Sequence, residues 1–333
     1  MLKDKIILVT GGTGSFGKAF INECLSHHEP AKLIIYSRDE NKQFHLAKEL
    51  SNSFPDMKHK VRFFIGDVRD ASRIKMAFRE VDYVIHAAAL KHVPIAEYNP
   101  FECINTNVIG SQNVITAALE TGVKKVVALS TDKACNPINL YGASKLASDK
   151  IFVAANNLSG SLDTRFTVVR YGNVIGSRGS VIPFFNDLIK RGHDTLPVTD
   201  DRMTRFWITL DQGVKFVLSC LEKMVGAEIF VPKIPSMRVI DIAKYMDPGC
   251  KIEIVGIRPG EKLHETMISI DDARYTYDLG DRYVIFPAES QLERYQSLMQ
   301  NSTQVPNDFS YSSDINNQWL NESDFQKITA GRF

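Results

Sequence analysis

A glycine-rich turn between an apolar strand and a helical segment constrains the fold of this chain more than any other feature. The apolar run Ile6–Thr10 predicts a buried strand, and the sequence GGTGSFG at 11–17 follows it directly. Glycines in such a turn let main-chain amides and the N-terminus of the next helix approach a pyrophosphate closely. The GxxGxxG spacing therefore favours a dinucleotide site over a plain turn. The residues expected to contact the dinucleotide are Gly11, Thr13, Gly14, Ser15, Phe16 and Gly17.

Short apolar runs alternate with segments of helical period through the first half of the chain. Helices are expected between these runs, for example over Phe101–Thr121 and Leu140–Asn156. This alternation predicts an α/β fold, a Rossmann-type doubly wound parallel sheet with helices on both faces and a smaller C-terminal substrate-binding lobe. The predicted strands are Ile6–Thr10, Leu33–Ser37, Val61–Gly66, Tyr83–His86, Val126–Ser130 and Phe166–Arg170.

Composition excludes several classes of partner. Lysine plus arginine total 40 against 39 aspartates and glutamates, so no strong field favours nucleic acid or a membrane surface. No apolar run reaches the ~18 residues that a membrane helix needs, and the N-terminus has no signal-peptide pattern. The five cysteines form neither a CxxC pair nor a disulfide framework, which indicates buried apolar thiols, no metal site and a cytoplasmic protein.

The end of the second strand predicts which dinucleotide is bound. An NAD site usually has an acid there, whereas Ser37-Arg38 suits the 2′-phosphate of NADP. Asp39 and Glu40 follow closely and could instead cap the next helix. Asp67, after the third strand, could reach the adenine amino group or cap a helix. Small residues at 87–89 leave room for the dinucleotide. Further contacts with NADP are expected from Ser37, Arg38, Lys42, Asp67, Val68, Ala87, Ala88, Ala89, Lys91, Asn107, Tyr141 and Lys145.

A YxxxK motif predicts the catalytic pair. Tyr141 and Lys145 lie one turn apart at the start of a predicted helix, about ten residues after a strand that ends near Ser130. An ammonium beside a phenol favours phenolate, which can take a proton from a sugar hydroxyl. The alternative is a solvated helix face, because YxxxK also occurs by chance.

Taken together, these motifs resemble the inverting UDP-N-acetylglucosamine 4,6-dehydratases, which open bacterial pseudaminic acid biosynthesis. The resemblance covers about residues 1–290, and its most specific part is Thr131-Asp132-Lys133. Retaining sugar-nucleotide dehydratases have Asp-Glu at the last two places, and related capsule-type enzymes often have methionine in place of Tyr141. The motifs are GGTGSFG at 11–17, SRDE at 37–40, GDVRD at 66–70, HAAALK at 86–91, STDKA at 130–134 and NLYG at 139–142.

The resemblance implies a mechanism. Tyr141 takes the proton of the C4 hydroxyl while hydride passes from C4 to NADP⁺. Lys133 then removes the C5 hydrogen, Asp132 helps water leave from C6, NADPH returns hydride to C6, and C5 is reprotonated from the opposite face. To act as a base, Lys133 needs a pKa lowered by burial or by a cation such as Lys91. The alternative is that Lys133 is a surface lysine after a strand. The implied catalytic residues are Thr131, Asp132, Lys133, Tyr141 and Lys145.

The resemblance also implies a nucleotide-sugar site in the second half of the chain. The turns at 170–174 and 178–183 line the sugar nucleotide, with Asn173 on the diphosphate. Arg205 and Arg258 could clamp two phosphates and Glu261 could accept from ribose hydroxyls, although single arginines are usually solvated. The implied substrate-binding residues are Lys91, Thr131, Tyr141, Asn173, Val181, Arg205, Arg258 and Glu261.

The expected organisation has three parts. Residues 1–171 form an NADP-binding Rossmann domain with the catalytic pair, and residues 172–290 mainly form a nucleotide-sugar lobe, with some segments returning to the first domain. Residues 291–333 form a polar tail. The tail is rich in Asn, Gln, Ser and Asp, so we expect it to wrap the surface or to be partly disordered. The resemblance implies a homo-oligomer, dimer or hexamer, and UDP-N-acetylglucosamine as substrate.

Two alternatives stay open on the sequence alone. A UDP-hexose 4-epimerase or reductase of the same fold would share the cofactor residues and the Tyr141/Lys145 pair but has no need for Asp132-Lys133. A non-catalytic NADP-binding protein is the other alternative, and the intact pair with Asp132 argues against it.

Overall fold

The central sheet forms from the apolar runs that the sequence places before and between helices. The computed structural model describes residues 1–177, 179–287 and 292–329. The strands are β1 (Ile6–Thr10), β2 (Lys32–Ser37), β3 (Val61–Ile65), β4 (Tyr83–His86), β5 (Lys125–Thr131), β6 (Arg165–Tyr171), β7 (Asn173–Val174), β8 (Thr195–Val198), β9 (Thr204–Ile208), β10 (Ile229–Pro232), β11 (Ser236–Arg238), β12 (Lys251–Ile254), β13 (Thr266–Ile268), β14 (Thr276–Asp278), β15 (Arg282–Ile285), β16 (Thr303–Gln304) and β17 (Tyr311–Ser312).

Helices connect these strands. The α-helices are α1 (Ser15–His27), α2 (Glu40–Ser53), α3 (Ala71–Ala77), α4 (Val93–Tyr98), α5 (Pro100–Ile104), α6 (Gly110–Thr121), α7 (Leu140–Leu158), α8 (Val181–Lys190), α9 (Leu210–Lys223), α10 (Val239–Met246), α11 (Ile270–Ala273), α12 (Gln296–Met299) and α13 (Glu322–Thr329). Short 3₁₀ segments cover Pro55–Lys60, Asp132–Ala134 and Leu292–Tyr295. No helix within the described ranges is long and apolar enough to cross a membrane.

The main sheet has the strand order β16-β14-β15-β10-β6-β5-β4-β1-β2-β3, and its strands from β10 to β3 are parallel. The order β3-β2-β1-β4-β5-β6 is that of a Rossmann fold, so the predicted fold class is confirmed. Strands of this kind are buried on both faces, which is why they are runs of Val, Ile and Leu. Ile7, Leu8 and Val127, for example, are fully buried, and each such side chain stabilises the fold by roughly 1.5–3 kcal/mol.

The predicted helix Phe101–Thr121 is interrupted. The structure has α5, then a π-helical turn over Asn105–Ile109, then α6. π-Bulges are frequent at functional sites because they re-aim the side chains around them. The turn contains Thr106, which lines the main cleft, and Asn107, which lies behind it. The predicted helix over Phe101–Thr121 is therefore present, with a π-helical turn inside it.

A second core lies beside the sheet and includes part of the tail. Ile175, Phe185, Trp207 and Ile242 pack there, and Phe325 of α13 packs with them. Strand β17 pairs with β13, and β16 joins the edge of the main sheet. The described part of the tail, 292–329, thus wraps the protein in ordered contacts and is not disordered. Residues 288–291 and 330–333, like Arg178 in the predicted sugar turn, lie outside the described ranges.

Gly142 gives a test of packing between α7 and the segment that carries Lys133. A Cβ at Gly142 would lie 2.2 Å from the carbonyl oxygen of Lys133, whereas a Cβ at Gly213 in α9 would meet nothing within 4 Å. Gly142→Ala is therefore expected to lower the free energy of unfolding by about 1–3 kcal/mol. Gly213→Ala, the matched control, should be neutral or stabilise by about 0.5–1 kcal/mol. Urea unfolding measures both, and equal stability of the two variants would contradict the packing described here.

Candidate active site

One cleft of about 1360 Å³ lies at the carboxyl ends of β1, β2, β4, β5 and β6, the place where doubly wound sheets bind ligands. It runs from the glycine-rich turn into the second lobe, so one opening spans both predicted sites. Predicted residues that line it are Gly11, Thr13, Gly14, Ser15, Phe16, Gly17, Ser37, Arg38, Lys42, Asp67, Val68, Ala87, Ala88, Ala89, Lys91, Thr131, Lys133, Tyr141, Lys145, Asn173, Val181, Arg205, Arg258 and Glu261.

The turn between β1 and α1 has the backbone that a pyrophosphate site needs. Gly11 adopts φ +65°, and a Cβ there would lie 2.9 Å from the amide nitrogen of Ala88 at the end of β4. Gly14 is the N-cap residue of α1 and makes no side-chain cap hydrogen bond. The positive end of the α1 dipole faces the cleft at this point, an arrangement that suits an anion.

The end of β2 presents cations to the cleft. The Asp39 carboxylate caps α2 by accepting from the Lys42 amide, and the Lys42 Nζ lies 2.7 Å from it. The capping alternative for Asp39 is thus the observed one, and the hydrogen bonds from Lys42 lower the pKa of Asp39. The Arg38 guanidinium is 57% exposed, and its Nη1 lies 3.7 Å from the Asp67 carboxylate. Arg38 is therefore available to an anionic group in the cleft.

Asp67 is held by Arg69. Its carboxylate accepts from the Arg69 main-chain amide and from Nε and Nη2 of the same residue, while the N-cap of α3 is Asp70. Burial raises the pKa of Asp67, but the Arg69 hydrogen bonds outweigh it and keep that pKa below the ordinary value. The helix-cap alternative for Asp67 is not observed, and its contact with adenine stays a prediction.

Two predicted site residues do not line the cleft. Asn107 is buried behind the wall, where its amide bonds both the N–H and the carbonyl of Leu90 and donates to Ser144 Oγ. It positions the chain after β4 instead of facing the cofactor space. Asp132 is also fully buried, and its Oδ1 accepts from Thr131 Oγ1 and Lys133 Nζ. These two placements correct the sequence-based picture, in which both residues face a ligand.

The Tyr141/Lys145 pair lies one turn apart on α7, as the motif predicts. Asn139 caps the helix by accepting from the Gly142 amide, and its Nδ2 donates to the carbonyl of Gly260 in the second lobe. The Lys145 Nζ donates to the Leu129 carbonyl at 2.7 Å. Burial lowers the pKa of Lys145, although the negative charge of Asp149 opposes the effect.

The electrostatics of Tyr141 differ from the prediction. Burial raises the pKa of Tyr141 to about 12, so the pKa in this structure lies above the ordinary value rather than below it. The cation that lowers it most is the Lys133 ammonium, not Lys145, and a hydrogen bond with Thr131 acts in the same direction. The pKa of the Tyr141 phenol is therefore lowered, against the effect of burial, by Lys133 and Thr131, two residues of the segment Thr131-Asp132-Lys133.

Lys133 lies between two carboxylates. Its Nζ is 3.0 Å from Asp132 Oδ1 and 3.1 Å from Glu265 Oε1. Burial by itself lowers the pKa of Lys133, but the two carboxylates outweigh burial and the opposing charge of Arg205, so the pKa is raised. The lowered pKa that a basic Lys133 requires is therefore not observed. The two neighbouring carboxylates favour the ammonium form of Lys133.

Glu265 is the site residue that sequence reasoning missed. Its side chain is 2% exposed and lines the cleft, yet it follows a polar loop, where a glutamate is normally solvated. Only tertiary packing brings it to Lys133, 132 positions away in the chain, so local spacing gives no signal. The loop 258–265 also connects to the first domain through Lys262, whose Nζ donates to the Cys135 carbonyl.

The two arginines predicted to bind the phosphates differ in burial: Arg205 is buried and Arg258 is exposed. Arg205 donates to the carbonyls of Thr204, Lys262 and Leu263, and its Nε lies 3.9 Å from Glu265. Arg258 is 61% exposed, with its Nη1 3.8 Å from Glu261 Oε1. Most of the donors of Arg205 are therefore used in holding the loop, while Arg258 faces the cleft.

The fold and the tyrosine–lysine pair on the helix after β5 define the protein as an extended short-chain dehydrogenase/reductase. The chain matches the family model described as "Polysaccharide biosynthesis protein" over residues 7–287, and it belongs to that family. It is 56% and 57% identical, over 98% of each chain, to proteins of two Campylobacter jejuni strains named UDP-N-acetylglucosamine 4,6-dehydratase (inverting). A Rickettsia canadensis protein named UDP-glucose 4-epimerase is 42% identical over 86% of this chain and 84% of its own.

Solved structures show the same fold. Pen from Bacillus thuringiensis is 37% identical and superposes with a TM-score of 0.88 over 99% of this chain and 98% of its own. The dTDP-glucose 4,6-dehydratase DesIV of Streptomyces venezuelae, in a complex with NAD, is 26% identical. Its TM-score is 0.68, over 77% of this chain and 86% of that one. The agreement with Pen includes the second lobe and the tail.

Proposed function

We propose that the protein is a UDP-N-acetylglucosamine 4,6-dehydratase that inverts C5, a hydro-lyase that opens pseudaminic acid biosynthesis. Its product is UDP-2-acetamido-2,6-dideoxy-β-L-arabino-hexos-4-ulose. The observation that carries the proposal is Lys133, which lines the cleft beside Tyr141 where retaining enzymes have a glutamate. The 56–57% identity to proteins with that name supports the same substrate.

The residues of the cleft divide the reaction between two bases. Tyr141, which the charge of Lys133 and the Thr131 hydrogen bond favour as phenolate, accepts the proton of the C4 hydroxyl. Lys145 holds the end of β5 through the Leu129 carbonyl. A nicotinamide dinucleotide bound along the glycine-rich turn supplies the hydride acceptor for C4 and the hydride donor for C6.

Lys133 acts on the 4-keto sugar. The ketone acidifies the C5 hydrogen, and an amine on the cleft wall can remove it once the ammonium has given up its own proton. Loss of the C6 hydroxyl as water follows. Inversion then requires that C5 receive its new proton from the face opposite Lys133. A reaction of this kind needs the pair Asp132-Lys133, which an epimerase does not.

Mass spectrometry of the reaction distinguishes a dehydratase from a 4-epimerase, the activity for which the Rickettsia canadensis relative is named. Incubation of the purified protein with UDP-N-acetylglucosamine and cofactor is expected to give a sugar nucleotide lighter by one water. An epimerase gives a product of unchanged mass, a reductase changes the mass by hydrogen alone, and a non-catalytic protein leaves the substrate intact. Any of these three results would contradict the proposed function.

NADP is the proposed form of the dinucleotide, supported by exposed Arg38 at the end of β2 and by Asp39, whose carboxylate caps α2. Arg38→Ala is expected to weaken NADP binding by about 10–100-fold, the equivalent of one charge-assisted contact, with little effect on NAD. Titration calorimetry with both cofactors measures this. Lys48→Ala, on the exposed face of α2, is the control. Equal losses for both cofactors, or a wild-type preference for NAD, would contradict it.

Three further proposals concern organisation. We infer a homo-oligomer, supported by Tyr98 and Phe101, which are 87% and 80% exposed beside the helices α6 and α7. A cytoplasmic location is supported by five free cysteines, of which Cys250 alone is partly exposed. The division at 171/172 is supported by the second core, while β10, β14 and β15 return to the main sheet.

A further inference from the structure

The carboxylate of Glu265 shares the cleft wall with Lys133. The two side chains both line the cleft, and 3.1 Å separates Glu265 Oε1 from Lys133 Nζ. Asp132 is equally close to Lys133, at 3.0 Å, but it is fully buried behind the wall. Of the two carboxylates that contact Lys133, Glu265 is therefore the one with direct access to a ligand.

One oxygen of Glu265 is left without a hydrogen bond. Oε2 is buried and accepts none from the described residues, and the nearest cation on that side, Lys262 Nζ, is 3.8 Å away. A buried carboxylate oxygen without a donor costs free energy, so such an atom normally has a partner when the site is in use. Asp132 Oδ2 has the same deficit, but it does not reach the cleft.

The surroundings of Glu265 hold it rigidly and compensate its charge. Its amide donates to Ser313 Oγ and its carbonyl accepts from the Ser313 amide, so the tail fixes the main chain on both sides of the side chain. Arg205 Nε and Lys262 Nζ lie 3.9 and 3.8 Å from the carboxylate. These cations stabilise the negative charge that returns to Glu265 whenever it gives up a proton.

We infer that Glu265 takes the proton that Lys133 must lose and then donates it to the C6 hydroxyl as that group leaves. The inference rests on the proposed function. In the first step the ammonium and carboxylate become an amine and a carboxylic acid. In the second step the Lys133 amine removes the C5 hydrogen as a proton, and the electrons of that bond form the C5–C6 double bond. The C6–O bond breaks, and the proton of Glu265 joins the leaving hydroxyl to make water. The pair ends the elimination in its starting ionisation state.

The geometry suits this step because C5 and C6 are neighbouring atoms. A base for one and an acid for the other must lie within a few ångströms of each other, as Lys133 and Glu265 do. Hydroxide is a poor leaving group, so an acid at C6 is expected to contribute about 10²–10⁴-fold to the rate. This assignment gives Glu265 the role that the family resemblance implies for Asp132, and leaves Asp132 to orient Lys133 from behind.

A leaving group that needs no proton tests the inference. UDP-6-deoxy-6-fluoro-N-acetylglucosamine loses fluoride, which leaves without an acid. Glu265→Gln is expected to turn over UDP-N-acetylglucosamine about 10²-fold more slowly than wild type, with reduced nicotinamide accumulating on the enzyme. The same variant should release fluoride from the fluoro substrate at close to the wild-type rate, because loss of the Glu265 charge lowers the pKa of Lys133 and lets the ammonium give its proton to solvent. Lys133→Met should be slow with both substrates, because it lacks the base.

The controls separate the inference from its alternatives. Glu253→Gln, an exposed glutamate on β12, should match wild type with both substrates. Two results for Glu265→Gln would overturn the inference. The variant could be equally slow with UDP-N-acetylglucosamine and the fluoro substrate, or it could match the wild-type rate with UDP-N-acetylglucosamine. The inference would also be overturned if Asp132→Asn were slow with UDP-N-acetylglucosamine but released fluoride from the fluoro substrate at the wild-type rate. That result can be obtained even if Glu265→Gln does not fold. A wild-type protein that removes no water would instead refute the proposed function.

Discussion

Replacing Tyr141 with phenylalanine is expected to lower the rate of dehydration by about 10⁴-fold, the upper end of the effect of a lost general base. The substitution removes one hydroxyl and leaves the ring packed between Ala96 and Cys103, so the variant should fold and bind cofactor. Without the phenol, nothing accepts the C4 proton while hydride leaves. The block therefore falls at C4 oxidation, and no reduced nicotinamide should accumulate, unlike in the Lys133 and Glu265 variants.

Stopped-flow absorbance of the nicotinamide and the rate of water loss measure this prediction together. Tyr83→Phe is the matched control, because it removes the same hydroxyl from the amino end of β4, away from the cleft. A Tyr141→Phe variant that dehydrates the substrate at a nearly normal rate would show that another group is the base at C4.

Lys133→Met is expected to lower dehydration by about 10³–10⁴-fold. C4 oxidation continues, but more slowly, because Tyr141 loses the positive charge that most lowers its pKa. Methionine has a stem of similar length and no basic atom, so the 4-keto sugar forms and the C5 hydrogen stays. The substitution also leaves Asp132 and Glu265 without their shared cation. Lys150→Met, on the exposed face of α7, should behave as wild type. Full activity of Lys133→Met would refute the assignment of the base.

Lys133→Glu restores the residue of the retaining enzymes, and the structure explains why it should not restore their chemistry. A glutamate at 133 would lie beside Asp132 and Glu265, so three carboxylates would share one largely buried place. Like charges at that distance force protonation or displacement of the side chain. We expect an inactive or slow enzyme with no clean change of stereochemistry.

The elements near the cofactor turn were predictable because their signals are local. The strands β1 and β4 coincide with the predicted Ile6–Thr10 and Tyr83–His86, and the Tyr141/Lys145 spacing places both residues on one face of α7. Burial in a parallel sheet selects apolar runs, and a glycine turn needs small residues, so both leave marks in a short window of sequence.

The environment of Lys133 could not be predicted in the same way. Its raised pKa depends on Asp132 and also on Glu265. Glu265 reaches the cleft only because Arg205 and Ser313 hold the loop from two other parts of the chain. The polar composition of the tail likewise concealed its contacts, since serine hydroxyls that fix a main chain look in sequence like solvated ones. Long-range polar packing leaves no periodic pattern, so it appears only in the structure.

Proton NMR of the fresh product, formed in heavy water, tests the central claim most directly. Removal of hydrogen from one face of C5 and return of a solvent proton to the other must place one deuterium at C5 and give the L-arabino configuration. Samples must be taken at the earliest times, because a 4-keto sugar can epimerise at C5 afterwards. The proposed mechanism predicts the deuterated L-arabino 4-keto sugar as the first product. A D-xylo product at those same early times would contradict it.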